Sequence, residues 1–187
     1  MKTSILILSF LIFYSCSSNT PSSKNKSSTP VNEVNPDSSG IDYLKLGFEL
    51  MQNEKFNNIR LGLKPDSIKI LLGEPDNITT PKEWAAFGTS FQSYNYNSIG
   101  LKLDLILSPD SNLNVKMITI HSPCDFISSR GIGINSSYDD VKKYYHQYID
   151  PSSSDSNSIV AGTVYGGIIF KFANKKVRSI FIGAAAD

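Results

Sequence analysis

The sequence is poor in the side chains from which metal sites, disulfide frameworks and nucleic-acid interfaces are built. Its 187 residues include two cysteines, two histidines and one tryptophan. Lysine and arginine together number 18 against 17 acidic residues, so the formal charge is +1. Nucleic-acid-binding proteins usually carry a basic face, and structural zinc needs four ligands rich in cysteine and histidine. We therefore expect no metal, no cofactor and no nucleic-acid partner.

The sequence also lacks an apolar run long enough to cross a membrane. Residues 5–14 form an almost unbroken apolar stretch, but a membrane-spanning helix needs about 20 such residues. Lys2 precedes the stretch and the small residue Ser15 follows it. A charged start, a short apolar segment and a small residue before the cleavage point are typical of a secretory signal.

The residues at the end of this signal resemble the lipobox of bacterial lipoproteins. They read Leu-Ile-Phe-Tyr-Ser-Cys over positions 11–16. The resemblance implies that residues 1–15 are a lipoprotein signal peptide and that Cys16 is lipidated, which anchors the chain stably through two acyl chains. Ser17 and the absence of acidic residues over 17–20 favour the periplasmic face of the outer membrane. The alternative is an ordinary secretory signal with a chance cysteine.

A polar linker separates Cys16 from the remainder of the chain. Residues 16–40 are dominated by serine, threonine, asparagine and proline and contain no aromatic residue. Such a segment cannot bury enough apolar surface to offset its ordering entropy, so we expect it to be disordered. If flexible, the 24 residues 17–40 would have an end-to-end distance on the order of 27 Å. We expect one globular domain over 41–187.

Apolar spacing within this domain predicts a first helix over 41–54, since Ile41, Leu44, Phe48 and Met51 recur every three or four residues. A weak internal repeat follows, at about 59–121 and 131–183. Each copy predicts one helix and a three-stranded antiparallel meander. The expected helices start at Pro65 and Ser137, and the expected strands are 91–96, 100–107, 115–121, 159–164, 167–173 and 177–182. The predicted fold class is α+β, with one sheet of about six strands and helices on one face, preceded by the extra N-terminal helix.

The first copy resembles the SmpA/OmlA group of small outer-membrane lipoproteins. It has a glycine before a short helix, then Leu-Leu-Gly-Glu-Pro-Asp over 71–76, then a meander. Tandem copies of such a unit resemble the β-lactamase-inhibitor-protein fold. One member of the SmpA/OmlA group belongs to the machinery that inserts β-barrels. The resemblance implies a non-catalytic protein-binding or envelope-assembly module. The alternative is a periplasmic inhibitor or immunity protein against a toxic or lytic enzyme.

A catalytic function would depend on His121 and Cys124, which lie three residues apart. A cysteine becomes a nucleophile when its thiol pKa is lowered and a base is adjacent. Nothing in the sequence brings these two side chains together, and a free thiol in an oxidising compartment is more compatible with burial. We expect no enzymatic activity.

The most unusual local composition is a group of five aromatic residues within thirteen positions. Tryptophan and tyrosine are enriched in binding hot spots, so we expect a partner-binding site here. The second interpretation is that Trp84 and Phe87 fill the edge of the core while the tyrosines line one face of a strand. The five residues are Trp84, Phe87, Phe91, Tyr94 and Tyr96.

Overall fold

A computed structural model describes residues 40–84, 89–107 and 112–185. Within these residues the chain forms three α-helices and one open antiparallel sheet of eight strands, which confirms the α+β class. The helices are α1 (Tyr43–Asn53), α2 (Pro65–Leu72) and α3 (Tyr138–Tyr145). The strands are β1 (Asn77–Ile78), β2 (Lys82–Trp84), β3 (Thr89–Tyr96), β4 (Leu101–Leu107), β5 (Leu113–His121), β6 (Ser158–Thr163), β7 (Gly166–Ala173) and β8 (Lys176–Gly183).

The strands lie in the order β1-β3-β4-β5-β8-β7-β6, and β2 also pairs with β3. The meander β3–β5 therefore meets the meander β6–β8 in the middle of the sheet, where Ile118 of β5 lies opposite Ile182 of β8. The sheet has more than the six expected strands because β1 and β2 extend it beyond β3. These two strands have two and three residues, which is too short for an apolar alternation to be recognised in sequence.

One face of the sheet forms the core. Leu101, Leu103 and Leu105 of β4 are at most 1% exposed, as their alternation with Lys102 and Asp104 predicts. The buried side chains of all three helices belong to the same hydrophobic cluster as these leucines. The helices therefore cover the same face of the sheet. The helical members of the cluster are Leu50 and Met51 of α1, Ile68 of α2, and Val141 and Tyr145 of α3.

Local capping chemistry determines where the helices begin and end. The Asp42 carboxylate accepts a hydrogen bond from the backbone N–H of Lys45 at 2.9 Å, which caps α1. Pro65 occupies the first turn of α2, and Gly73 ends this helix at a φ of 78°. Ser137 Oγ accepts from the N–H of Asp140 at 3.1 Å, so the predicted cap of α3 is confirmed.

A buried carboxylate joins the first helix to the segment before α3. Glu54, at the end of α1, is 3% exposed. It forms an ion pair with Arg130 and accepts hydrogen bonds from the backbone N–H of Ser129 at 2.9 Å and from the hydroxyl of Tyr145 at 3.1 Å. Burial raises the pKa of Tyr145, so its hydroxyl remains a donor at neutral pH. One side chain therefore fixes α1, the loop around 129 and α3 together.

Helix α1 approaches the β6–β7 hairpin so closely that only glycine fits at the contact. A Cβ added to Gly47 would lie 2.1 Å from the carbonyl oxygen of Gly166 and 2.7 Å from the Cα of Gly162. Both neighbours are backbone atoms, so neither can rotate away as a side chain would. The contact therefore depends on the absence of a side chain at position 47.

Substitution Gly47→Ala should destabilise the domain. Overpacking costs about 1–3 kcal/mol, which exceeds the roughly 1 kcal/mol that alanine gains over glycine inside a helix. We expect a lower urea midpoint for Gly47→Ala, while the exposed control Gln52→Ala should stay within about 0.5 kcal/mol of the parent protein. Unchanged or increased stability of Gly47→Ala would contradict the close seating of α1 on the hairpin.

Substitution Arg130→Met should cost about 3–5 kcal/mol, because it leaves the Glu54 carboxylate buried and uncompensated. The double variant Glu54→Gln with Arg130→Met should recover part of that loss, since a neutral amide can still accept the hydrogen bond from the Ser129 N–H. Denaturant unfolding of both variants measures the difference. A double variant less stable than Arg130→Met alone would show that the unpaired charge is not the cause of the loss.

Candidate functional site

The face of the sheet opposite the core, here called the open face, carries the candidate site. Alternation along β4 places Lys102, Asp104 and Ile106 on this face. Strand register places Ser93 of β3 and Met117 of β5 beside Asp104. The described helices contribute their buried side chains to the other face. The open face is therefore the broad part of the described domain that no described helix covers.

A cleft of about 450 Å³ lies on the open face, between the middle of the sheet and the end of β8. Its walls combine aromatic and thioether side chains with one ion pair. Ligand clefts are usually apolar with a few placed polar groups, and this lining has that composition. The lining residues are Phe91, Lys102, Asp104, Met117, Phe181, Ala184 and Ala185.

The polar part of the cleft is held in place by hydrogen bonds. Asp104 is 5% exposed, and its Oδ1 accepts from Ser93 Oγ at 2.5 Å. Lys102 Nζ lies 2.9 Å from Oδ1 and 3.0 Å from Oδ2 of the same carboxylate. The Lys102 side chain is 43% exposed against 8% for Asp104. The Lys102 side chain is therefore the part of this ion pair that reaches the surface of the cleft.

The charge of strands β3–β8 is mostly positive. Strands β3–β8 contain five basic side chains and a single acidic one, Asp104, which is already paired with Lys102. A basic surface attracts acidic partners and steers their approach. The five basic residues are Lys102, Lys116, Lys171, Lys176 and Arg178.

One edge of the sheet is covered and the strands at the other edge are short, so the open face offers more binding surface than the edges do. At one edge the Val160 carbonyl of β6 accepts from the N–H of Asp150 at 3.0 Å, and the Val160 N–H donates to Ser154 Oγ at 3.0 Å. At the other edge β1 and β2 cover β3. Covered or short edges prevent pairing with another strand, which argues against partner binding by strand addition.

The structure divides the five aromatic residues of the sequence prediction between different places. Phe91 lines the cleft on the open face. Tyr94 and Tyr96 are 6% and 3% exposed and lie in the core, as the second interpretation states for the tyrosines. Trp84 is the last residue of β2, opposite Thr89. The side chain of Trp84, and Phe87 as a whole, lie outside the described residues.

Burial also accounts for the chemistry of Tyr96. It raises the pKa of this residue to about 12, and the Tyr96 hydroxyl donates to the carbonyl of Gly73 at 3.0 Å. Tyr96 therefore fastens the end of α2 to the sheet. Among the described side chains of the predicted aromatic group, only that of Phe91 lies at a surface that a partner can reach.

The sequence prediction missed most of the residues that line the cleft. Lys102 and Asp104 carried a usable signal, because both alternate with the buried leucines of β4. The sequence signal for Met117 and Phe181 is weaker. Each is next to a buried isoleucine in its strand, and neighbouring strand residues face opposite ways. Their meeting depends on the pairing of β5 with β8, which no local pattern specifies.

The remaining residues singled out in the sequence are the cysteines and His121. Cys16 lies outside the described residues. Cys124 is 4% exposed, and burial raises the pKa of its thiol, which opposes formation of a thiolate. His121 Nδ1 lies 2.8 Å from the backbone oxygen of Ser122. In the part of the chain that the structure describes, no three His, Cys, Asp or Glu side chains cluster in a way that could hold a metal.

No helix within residues 40–84, 89–107 and 112–185 combines the length and apolar character that crossing a membrane requires. Comparison of the chain with protein-family models, with curated proteins and with solved structures gives no match. The resemblances stated from the sequence therefore stay predictions.

Cys124 should react slowly with thiol reagents in the folded protein. Its raised pKa reduces the thiolate fraction, and its burial blocks access. We expect modification by a disulfide reagent at pH 8 to be at least about a hundredfold slower than after unfolding in guanidinium. Fast modification in the folded state, with a rate that depends on His121, would contradict this expectation and support a thiol enzyme.

Proposed function

We propose that this chain is a lipid-anchored lipoprotein of the bacterial envelope whose globular domain is a non-catalytic protein-binding or assembly module. The observation that carries the proposal is the open face of the sheet, which combines a cleft lined by Phe91, Met117 and Phe181 with the partly exposed side chain of Lys102. Apolar anchors beside a charged group are typical of protein interfaces. The buried, high-pKa thiol of Cys124 favours binding over catalysis.

The anchor in this proposal is Cys16, lipidated after removal of residues 1–15. A secretory signal that ends in a lipobox-like hexapeptide supports this assignment. We place the protein on the periplasmic face of the outer membrane, because Ser17 follows the cysteine and residues 17–20 contain no acid. Residues 16–40 then connect the membrane to the domain.

We further propose that the domain is a duplication of a unit similar to the SmpA/OmlA and β-lactamase-inhibitor-protein repeats. Two features support it. In each meander the pairing of the second strand with the third contains one β-bulge. The bulge leaves Lys116 without an opposite residue in the first copy and Arg178 in the second. The strand order β3-β4-β5 then β8-β7-β6 is also symmetric about its centre. Both features follow if the two copies share one ancestral geometry.

The alternative function, inhibition of a toxic or lytic enzyme, would use the same open face. An inhibitor binds one soluble enzyme tightly and changes shape little, whereas an assembly module binds a membrane protein of its own cell. The two functions therefore differ in the partner and not in the surface, so that identification of the partner separates them.

The open face should carry partner binding. We expect the full lipoprotein, purified from its own envelope in mild detergent, to retain one saturable partner, and Phe181→Asp to weaken that binding at least about tenfold because a charge enters the apolar cleft. The matched control is Ile70→Asp, which changes an 84% exposed apolar residue of α2. Affinity measured by pull-down and mass spectrometry gives the comparison.

Two additional variants make this test decisive. Trp84→Ala examines the predicted aromatic site at the end of β2, and Phe181→Ala replaces Phe181→Asp if the latter fails to fold by circular dichroism. Loss of binding in Ile70→Asp with full binding in both Phe181 variants would move the interface to the helical side. Absence of any saturable partner would overturn the assembly proposal, and enzyme inhibition by the same preparation would favour the alternative.

A further inference from the structure

The open face carries a row of basic and hydroxyl side chains that crosses three strands near the end of β5. Strand pairing places His121 of β5 opposite Ser179 of β8, and Ser179 opposite Lys171 of β7. Each of the three adjoins a buried core residue in its own strand, so their side chains lie on the open face. His121 and Lys171 are exposed. His121, Ser179 and Lys171 are here called the basic row.

An apolar row lies beside the basic row on the same face. Two residues away in each strand, Phe181 of β8 lies opposite Thr119 of β5 and Ile169 of β7. Two residues of a strand span about 7 Å, which is the separation of the two rows. Phe181 is also a wall of the cleft. Phe181 and Ile169, here called the apolar row, therefore extend the apolar lining of the cleft toward the basic row.

The positive charge of Lys171 has no partner within the part of the chain that the structure describes. The ion pairs there involve other lysine and arginine residues, and Lys171 forms no hydrogen bond. Asp155 lies in the turn before Ser158, the residue opposite Lys171 in β6, but its carboxylate already accepts two backbone N–H groups of that turn at 2.6 and 2.7 Å. Asp104, the only acid of strands β3–β8, is paired with Lys102. The Lys171 ammonium is thus available to a carboxylate from outside the domain.

We propose that the two rows bind a segment of the partner protein in which aspartate or glutamate lies beside apolar residues. The apolar side chains of the segment pack on Phe181 and Ile169, and its carboxylate accepts hydrogen bonds from Lys171 and Ser179. A hydrogen bond between an ammonium and a carboxylate is stronger than one between neutral groups. The inference rests on the proposed function, because it names the chemistry of the partner that the open face binds.

The spacing of the rows favours a protein segment over a small anion. An inorganic anion would contact the basic row alone and leave Phe181 and Ile169 in water. In an extended segment, residues i and i+2 lie on one face about 7 Å apart, which equals the separation of the rows. A carboxylate two positions from an apolar residue therefore reaches both rows at once.

A matched pair of charge reversals tests the inference. Lys171→Glu and Lys55→Glu change the net charge of the full lipoprotein equally, but Lys55 is an exposed residue after α1 that belongs to no strand. In pull-downs of the partner from detergent-solubilised envelope, we expect Lys171→Glu to weaken binding at least about tenfold, because like charges across an interface repel. Lys55→Glu should change the affinity less than about twofold, and Lys171→Arg, which keeps the charge, should preserve most of the binding.

Carbodiimide crosslinking identifies the contact itself. The reagent joins an amine to a carboxylate that touches it, with loss of water, and forms an amide. Mass spectrometry of the crosslinked complex should therefore show Lys171 joined to an aspartate or glutamate of the partner that has an apolar residue two positions away. Lys171→Arg cannot form this amide, so the same crosslink should be absent from that variant.

The outcomes separate this inference from the proposed function. A saturable partner that Phe181→Asp weakens, but that binds Lys171→Glu as well as the parent protein and gives no Lys171 crosslink, overturns the acidic segment and leaves the binding module intact. Absence of any saturable partner overturns both. Binding that persists after the extract is digested with protease identifies a non-protein polyanion and also overturns the inference. If Lys171→Glu fails to fold by circular dichroism, Lys171→Gln replaces it, with an expected loss of about two- to fivefold.

Discussion

The buried carboxylate of Glu54 is the interaction on which the placement of α1 against α3 depends. A charge inside a protein is costly unless it is paired and hydrogen-bonded, and Glu54 obtains its partners from three places. Arg130 supplies the opposite charge, Ser129 a backbone N–H and Tyr145 a hydroxyl. Each partner lies more than 70 residues away along the chain. The carboxylate is thus satisfied only when α1, the loop around 129 and α3 have all reached their native positions.

Packing of all the described helices on one face gives the sheet its functional asymmetry. The core face is filled by aliphatic and aromatic side chains of β3, β4, β5, β7 and β8, so mutations there act through stability. The open face holds side chains that contribute less to the core, among them Phe91, Met117 and Phe181. Because strand residues alternate between faces, the two sets can change nearly independently. A binding surface of this kind is free to change while the fold stays the same.

Much of the fold could be predicted because alternation and helical spacing are local properties. The six longer strands and the capped helices were found within a few residues of their observed ends. The strands β1 and β2 were missed, since two or three residues carry no period. The candidate site is harder to predict, because aromatic composition alone does not say which face of the sheet each side chain lies on. Phe91 and Tyr94 differ by an odd number of positions in one strand, so they must face opposite ways.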